Sequence, residues 1–148
     1  MAPPSVNLTI LVVGVRDLQL KALPQDPSAP PRALGQMIPQ ASMDMRGGLE
    51  FLDAETAVMS MEAVVRDANP YPMVELTVRV DAFFRFGEGT SRRLVASQLS
   101  RMGGPMLFPY LRETVHSVMA RSIYGPIILA PTIIQPLLSE EQLAGIPE

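Results

Sequence analysis

The clearest pattern in the chain is the strict alternation over residues 74–86. Val74, Leu76, Val78, Val80, Ala82, Phe84 and Phe86 interleave with Glu75, Thr77, Arg79, Asp81, Phe83 and Arg85. Successive strand side chains point to opposite faces, so this run predicts a strand with one apolar and one mostly polar face, half-buried in an antiparallel sheet. A second run sets Ala57, Met59, Met61, Ala63 and Val65 against Val58, Ser60, Glu62, Val64 and Arg66. Asn69-Pro70 carries turn chemistry between the two runs and predicts a hairpin. Met43, Met45, Leu49 and Phe51 predict another strand, broken at Gly47-Gly48 by a bulge or bend. The first strand is expected over residues 6–20, kinked where Gly14 shifts the alternation.

Beyond Gly103 the period changes. Leu107, Phe108, Leu111, Val115, Val118 and Met119 recur at i, i+3 and i+4, while Arg112, Glu113, His116 and Arg121 fall mostly on the other side. Gly103, Gly104 and Pro105 predict the helix start, Pro109 lies in its first turn where a missing N–H costs little, and Gly125-Pro126 stops it. The expected long helix covers residues 105–123, followed over 126–148 by an apolar tail with a short helix.

Sheet first and helices last predict an α+β fold: a four-stranded antiparallel sheet, then a long helix and a short C-terminal helix laid on one face, in a single domain over residues 1–148. With burial contributing roughly 25 cal/mol per Å² of apolar surface, a helix whose second flank carries Tyr110, Met119 and Ile123 is better sandwiched than half exposed. Leu107, Phe108, Tyr110, Leu111, Val115, Val118 and Met119 are therefore candidate oligomer contacts. The strand edge over residues 6–15 is a second pairing surface, because exposed edges must be covered or paired.

Composition narrows the function. The net charge of −3 argues against nucleic acid as the main partner, since phosphate binding needs clustered Lys and Arg. The absence of Cys removes disulfides and thiolate chemistry and fits a reducing cytosol. The N-terminal residues lack the charged start and apolar length of a signal peptide, and no apolar run approaches the ~18 residues of a membrane span, so a cytoplasmic protein without membrane insertion is expected. His116, the only His, sits mid-helix without partners at ligand spacing and reads as structural. Gly87-Glu88-Gly89 lacks the remaining elements of a phosphate loop, and Thr90, Ser91, Arg92 and Arg93 read as a solvated turn rather than an anion nest. No catalytic residue, metal or cofactor is nominated, and the chain is expected not to be an enzyme.

Leu107-Phe108-Pro109-Tyr110, Arg112-Glu113, Arg121 and the Leu129-Ala130-Pro131 step before a second short helix resemble the C-terminal half of SecB, the bacterial protein-export chaperone family. Val15-Arg16-Asp17-Leu18 resembles the end of that family's first strand, and Glu88-Gly89-Thr90 the turn after its last. The resemblance implies a cytoplasmic, ATP-independent chaperone that keeps unfolded or presecretory polypeptides competent for export. It implies a homotetramer built as a dimer of dimers, with the long helices between two sheets. One groove wall would be the Pro-rich crossover over residues 22–41, with Leu34, Met37 and Ile38 as client contacts. Facing it would be Ile127, Ile128, Leu129, Ile133, Ile134, Leu137 and Leu138. The chain's ten Met residues suit adaptable binding, although Met43, Met45, Met59 and Met61 sit at strand spacing and read as core. The family docks the motor protein SecA through acidic residues. Asp17 matches the first, Lys21 reverses the charge of the second, and Glu62 and Glu75 are further carboxylates on a strand face. The crossover lacks the family's aromatic near Met37-Ile38, and only a short tail follows residue 138. Two other readings fit the same scaffold: a SecB-like chaperone dedicated to one partner, such as an antitoxin, and a structural adaptor without client binding.

Overall fold

The computed structural model describes residues 6–30, 34–35, 41–67, 71–129 and 135–148. Four strands, β1 (Leu8–Ala22), β2 (Ala41–Phe51), β3 (Thr56–Asp67) and β4 (Val74–Phe86), precede helices α1 (Arg92–Arg121) and α2 (Glu140–Ala144). The strands form one antiparallel sheet in the order β1-β4-β3-β2. The expected Asn69-Pro70 turn lies outside the described residues. At the β2–β3 turn, Asp53 Oδ1 accepts from the backbone N–H groups of Glu55 and Thr56, both at 2.8 Å, which closes the hairpin locally.

Two expectations about the strands are corrected. β2 pairs with β3 without interruption from Ala41↔Asp67 to Phe51↔Ala57, so Gly47-Gly48 makes no bulge. β1 instead carries two register shifts against β4, at Leu11 and at Arg16, one on each side of Gly14. Both absorb a slip in the apolar phase. They keep Leu8, Ile10, Val13, Val15, Leu18 and Leu20 on the same side of the sheet as the buried residues of β4.

The helix start is also corrected: α1 begins at Arg92, not Pro105. Ser91 is the N-cap, its hydroxyl accepting from the Leu94 N–H at 3.3 Å. Gly103, Gly104, Pro105 and Pro109 all lie inside the helix. Local preference disfavours this, by roughly 1 kcal/mol per Gly and ~3 kcal/mol for an interior Pro. Packing overrides it: Val95, Leu99, Leu107, Leu111, Val115 and Met119 form one buried stripe against Met59, Met61, Val78, Val80 and Phe84 of β3 and β4. Gly103 belongs to that stripe. A Cβ there would overlap the Met59 sulfur, so at this point glycine lets the helix approach the sheet without displacing that side chain. Nor are Arg92 and Arg93 a solvated turn. Arg92 stacks over the Phe51 ring, 5.2 Å from its centroid, and Arg93 holds the far end of the chain.

Candidate polypeptide-binding surface

After α1 the chain turns at Gly125, whose φ of +97° suits glycine, and the described tail runs back along the helix toward its N-terminus. Three side chains of α1 fasten it. His116 Nε2 accepts from the Leu129 N–H at 3.0 Å. The Ser100 hydroxyl accepts from the Leu138 N–H at 2.8 Å and donates to the Leu138 carbonyl at 3.3 Å, while the Leu137 N–H bonds the Ser100 carbonyl at 3.0 Å. The Arg93 guanidinium donates to the carbonyls of Ile146 at 3.1 Å and Ala144 at 3.5 Å, capping the C-terminus of α2.

At the second fastening, Leu137 occupies a notch made by two glycines on different elements. A Cβ at Gly47 of β2 would lie 2.7 Å from Leu137 Cδ2, and one at Gly103 of α1 would lie 2.8 Å from Leu137 Cδ1. Beside the notch opens a cavity of about 270 Å³ lined by Met45, Arg46, Gly47, Met61, Gln135, Pro136 and Leu137. The tail thus closes the wedge between α1 and β2. On the other side of α1 the chain before β1 is fastened at one point only among the described residues, where the buried Val6 donates its N–H to Gln98 Oε1 at 3.1 Å, and the apolar side chains further along β1 stay uncovered. Ile10 is 50% exposed, and Val15, Leu18 and Leu20 on the same side of β1 are also exposed.

The sheet face away from α1 is mixed: Val12, Val58, Val64 and Phe83 are apolar positions on it, and its charges alternate in sign. Register places Asp17, Arg79, Glu62 and Arg46 in one row across all four strands, and Lys21, Glu75 and Arg66 in another. Arg66 Nε donates to Glu75 at 2.6 Å. At the centre lies Asp81, only 3% exposed, receiving Arg16 Nη1 at 2.8 Å and Arg79 Nε at 3.0 Å. Burial pushes the Asp81 carboxyl up, but the hydrogen bonds from Arg16, Arg79 and Ser60 outweigh it and hold the group below the usual carboxylate range.

The residues nominated from the sequence are therefore distributed unevenly. Ile127, Leu129 and Leu138 are buried within the subunit, Leu137 is half-buried in its notch, and Leu34 and Ile128 are exposed. Met37, Ile38, Ile133 and Ile134 lie outside the described residues. On α1, the side chains of Leu107, Phe108, Leu111, Val115 and Met119 are spent against the subunit's own sheet, leaving Tyr110 exposed and Val118 half-buried. Asp17, Glu62 and Glu75 do share one face, each beside an Arg. Sequence reasoning missed the Asp81 cluster, the Gly47–Gly103 notch and the Arg93 fastening. Only the first left a local signal, a charged Arg79 and Asp81 two residues apart on one strand face.

Sheet order, the single long helix laid across it and the returning tail define a SecB-like fold, the α+β arrangement expected from the sequence. A SecB-like chaperone of Mycobacterium tuberculosis, in complex with a ChAD peptide from the HigA1 antitoxin, matches with a TM-score of 0.64 at 16% sequence identity, over 84% of this chain and 90% of that one. A protein of unknown function from Streptococcus agalactiae matches with a TM-score of 0.42 at 7% identity, over 87% of this chain and 100% of the other. No family model and no curated protein sequence matches the chain. Among the described residues, no helix is long and apolar enough to cross a membrane.

Proposed function

We propose that this chain is an ATP-independent chaperone that holds unfolded polypeptides, working as a homo-oligomer in which apolar surface on the β1 side of α1 is shared between copies. The observation that carries the reading is the wedge between α1 and β2. It is lined by Met45, Met61 and two glycines, and already holds a leucine-bearing segment through hydrogen bonds to its backbone and one side-chain notch. Main-chain bonds take any sequence and the notch takes a branched aliphatic group, the combination a holding chaperone requires. In this reading the exposed Ile128 and Leu34 are further client contacts, and Tyr110 and Val118 are the outward positions that α1 offers another subunit. Replacing both Leu34 and Ile128 by Asp is expected to weaken binding of a reduced, unfolded protein by about tenfold, with the fold unchanged because both residues are exposed. Unchanged affinity in fluorescence anisotropy counts against a groove at these residues.

The charge pattern of the open sheet face supports a second reading, a chaperone dedicated to one partner. Asp17, Glu62 and Glu75 are interleaved with Arg79, Arg46 and Arg66, so the face offers alternating charge instead of the acidic surface that docking of a translocase motor would use. The solved SecB-like neighbour is bound to a peptide of an antitoxin. Co-purification separates the two readings. A dedicated chaperone brings down one dominant protein in near-stoichiometric amount, and an export chaperone brings down many.

A further inference from the structure

We propose that Leu137 is a built-in competitor for the client site: the tail keeps the Gly47–Gly103 notch filled, and a client polypeptide gains it by displacing Leu137 with a leucine-type side chain of its own. This deepens the function proposed above and rests on it. The hydrogen bonds of the segment, including that from the Ser100 hydroxyl to the Leu138 carbonyl at 3.3 Å, are to backbone groups that a foreign chain also carries, and the buried Leu138 adds a second aliphatic contact. Two backbone N–H groups meet the Ser100 carbonyl and hydroxyl, at 3.0 and 2.8 Å, and one side chain fills the notch. Gln135 and Pro136 beside it are exposed, and the adjoining cavity of about 270 Å³ leaves room along the path. Gly47 serves this occupant in particular, because the atoms nearest a Cβ there all belong to Leu137, and Gly103 serves both Leu137 and the closer Met59. A tethered segment competes at an effective concentration in the millimolar range, so the closed tail discriminates against weak, non-specific chains and yields to extended apolar ones. When the open state is the minor one, populated at most about 10%, apparent affinity for a client falls at least about tenfold below that of the open notch.

The probe is a fluorescein-labelled peptide copying residues 135–148, with a control peptide carrying Leu137→Ser. The expected result is that L137S protein binds the leucine peptide at least about tenfold more tightly than wild type does, and much more tightly than it binds the control. Adding Gly47→Ala to the L137S protein should abolish that gain by filling the notch. Equal affinity of wild type and L137S for the leucine peptide, or equal affinity of L137S for both peptides, overturns the proposal. A readout on wild type removes dependence on the variant's folding. In methyl-labelled protein, saturating leucine peptide should shift the Leu137 methyl resonances to solvent-exposed values, and unshifted resonances under saturation contradict displacement. Binding of a reduced, unfolded protein is measured in parallel. If that protein binds while the peptide arms fail, the competitor role falls and the chaperone reading stands. If the peptide arms succeed and unfolded protein is ignored, the notch accepts only its own tail, and the client role falls with the chaperone reading.

Discussion

The two flanks of α1 solve the same problem differently. The helix covers β3 and β4, and an outer strand overhangs it on each side. Toward β2 the chain fills the wedge with its own tail, held at Ser100 and keyed by Leu137 into Gly47 and Gly103. Toward β1 Ile10, Val15, Leu18 and Leu20 stay bare. Bare apolar side chains on an edge strand are a liability unless something covers them. The difference teaches that the same helix leaves two apolar flanks, one filled by the chain's own tail and one whose side chains on β1 stay exposed.

Glycine substitutions test that contrast most strongly. Gly103→Ala places a methyl group into the Met59 sulfur and Leu137, so a loss of about 1–3 kcal/mol is expected from urea unfolding. Gly14→Ala on the β1 side meets no atom within 4 Å and should change stability by less than about 0.5 kcal/mol. Comparable losses at both positions would erase the distinction between a filled and an open flank.

Next in size is Asp81, whose replacement by Ala leaves Arg16 and Arg79 without their common acceptor. About 1–2 kcal/mol should be lost, moderated because both arginines are partly exposed. Because the folded carboxyl titrates below its unfolded value of about 3.9, its contribution is present above that pH and disappears as pH falls through the folded value. Stability should therefore drop below about pH 4, and Asp81→Ala should flatten that limb. An unaltered acid limb in the variant would assign it to other carboxylates.

Ser100→Ala should cost about 1 kcal/mol and speed hydrogen exchange at the Leu138 amide, which it leaves without its hydroxyl partner. Protection retained at wild-type level would mean that the tail is held mainly by packing. The smallest effect on subunit stability, within about 0.5 kcal/mol, is expected for Ile10→Lys with Val15→Lys, both half-exposed on β1. Native mass should nevertheless fall in this double variant, and an unchanged mass moves the subunit contact away from this flank.

Legibility of these features in the sequence follows the range of the forces involved. β3 and β4 were readable because alternation is local and both strands are buried on the same side throughout. The N-terminal half of α1 was not, because Gly103-Gly104-Pro105 is a strong local stop whose cost is met by contact with Met59, forty-four positions away in sequence. Gly47 misled for the same reason: its small size answers to Leu137 across space, not to a bend in β2. Of the candidate site, the apolar tail was visible as composition. Its division into buried Ile127, Leu129 and Leu138, half-buried Leu137 and exposed Ile128 depends on where His116 and Ser100 fasten it.

The most direct test of the central claim is light scattering of the purified protein mixed with a reduced, unfolded protein and with the same protein folded. The account predicts a stable complex with the unfolded form alone, formed by a species larger than one subunit. No complex with either form would contradict the chaperone reading and leave the SecB-like scaffold in search of a single dedicated partner or a structural role.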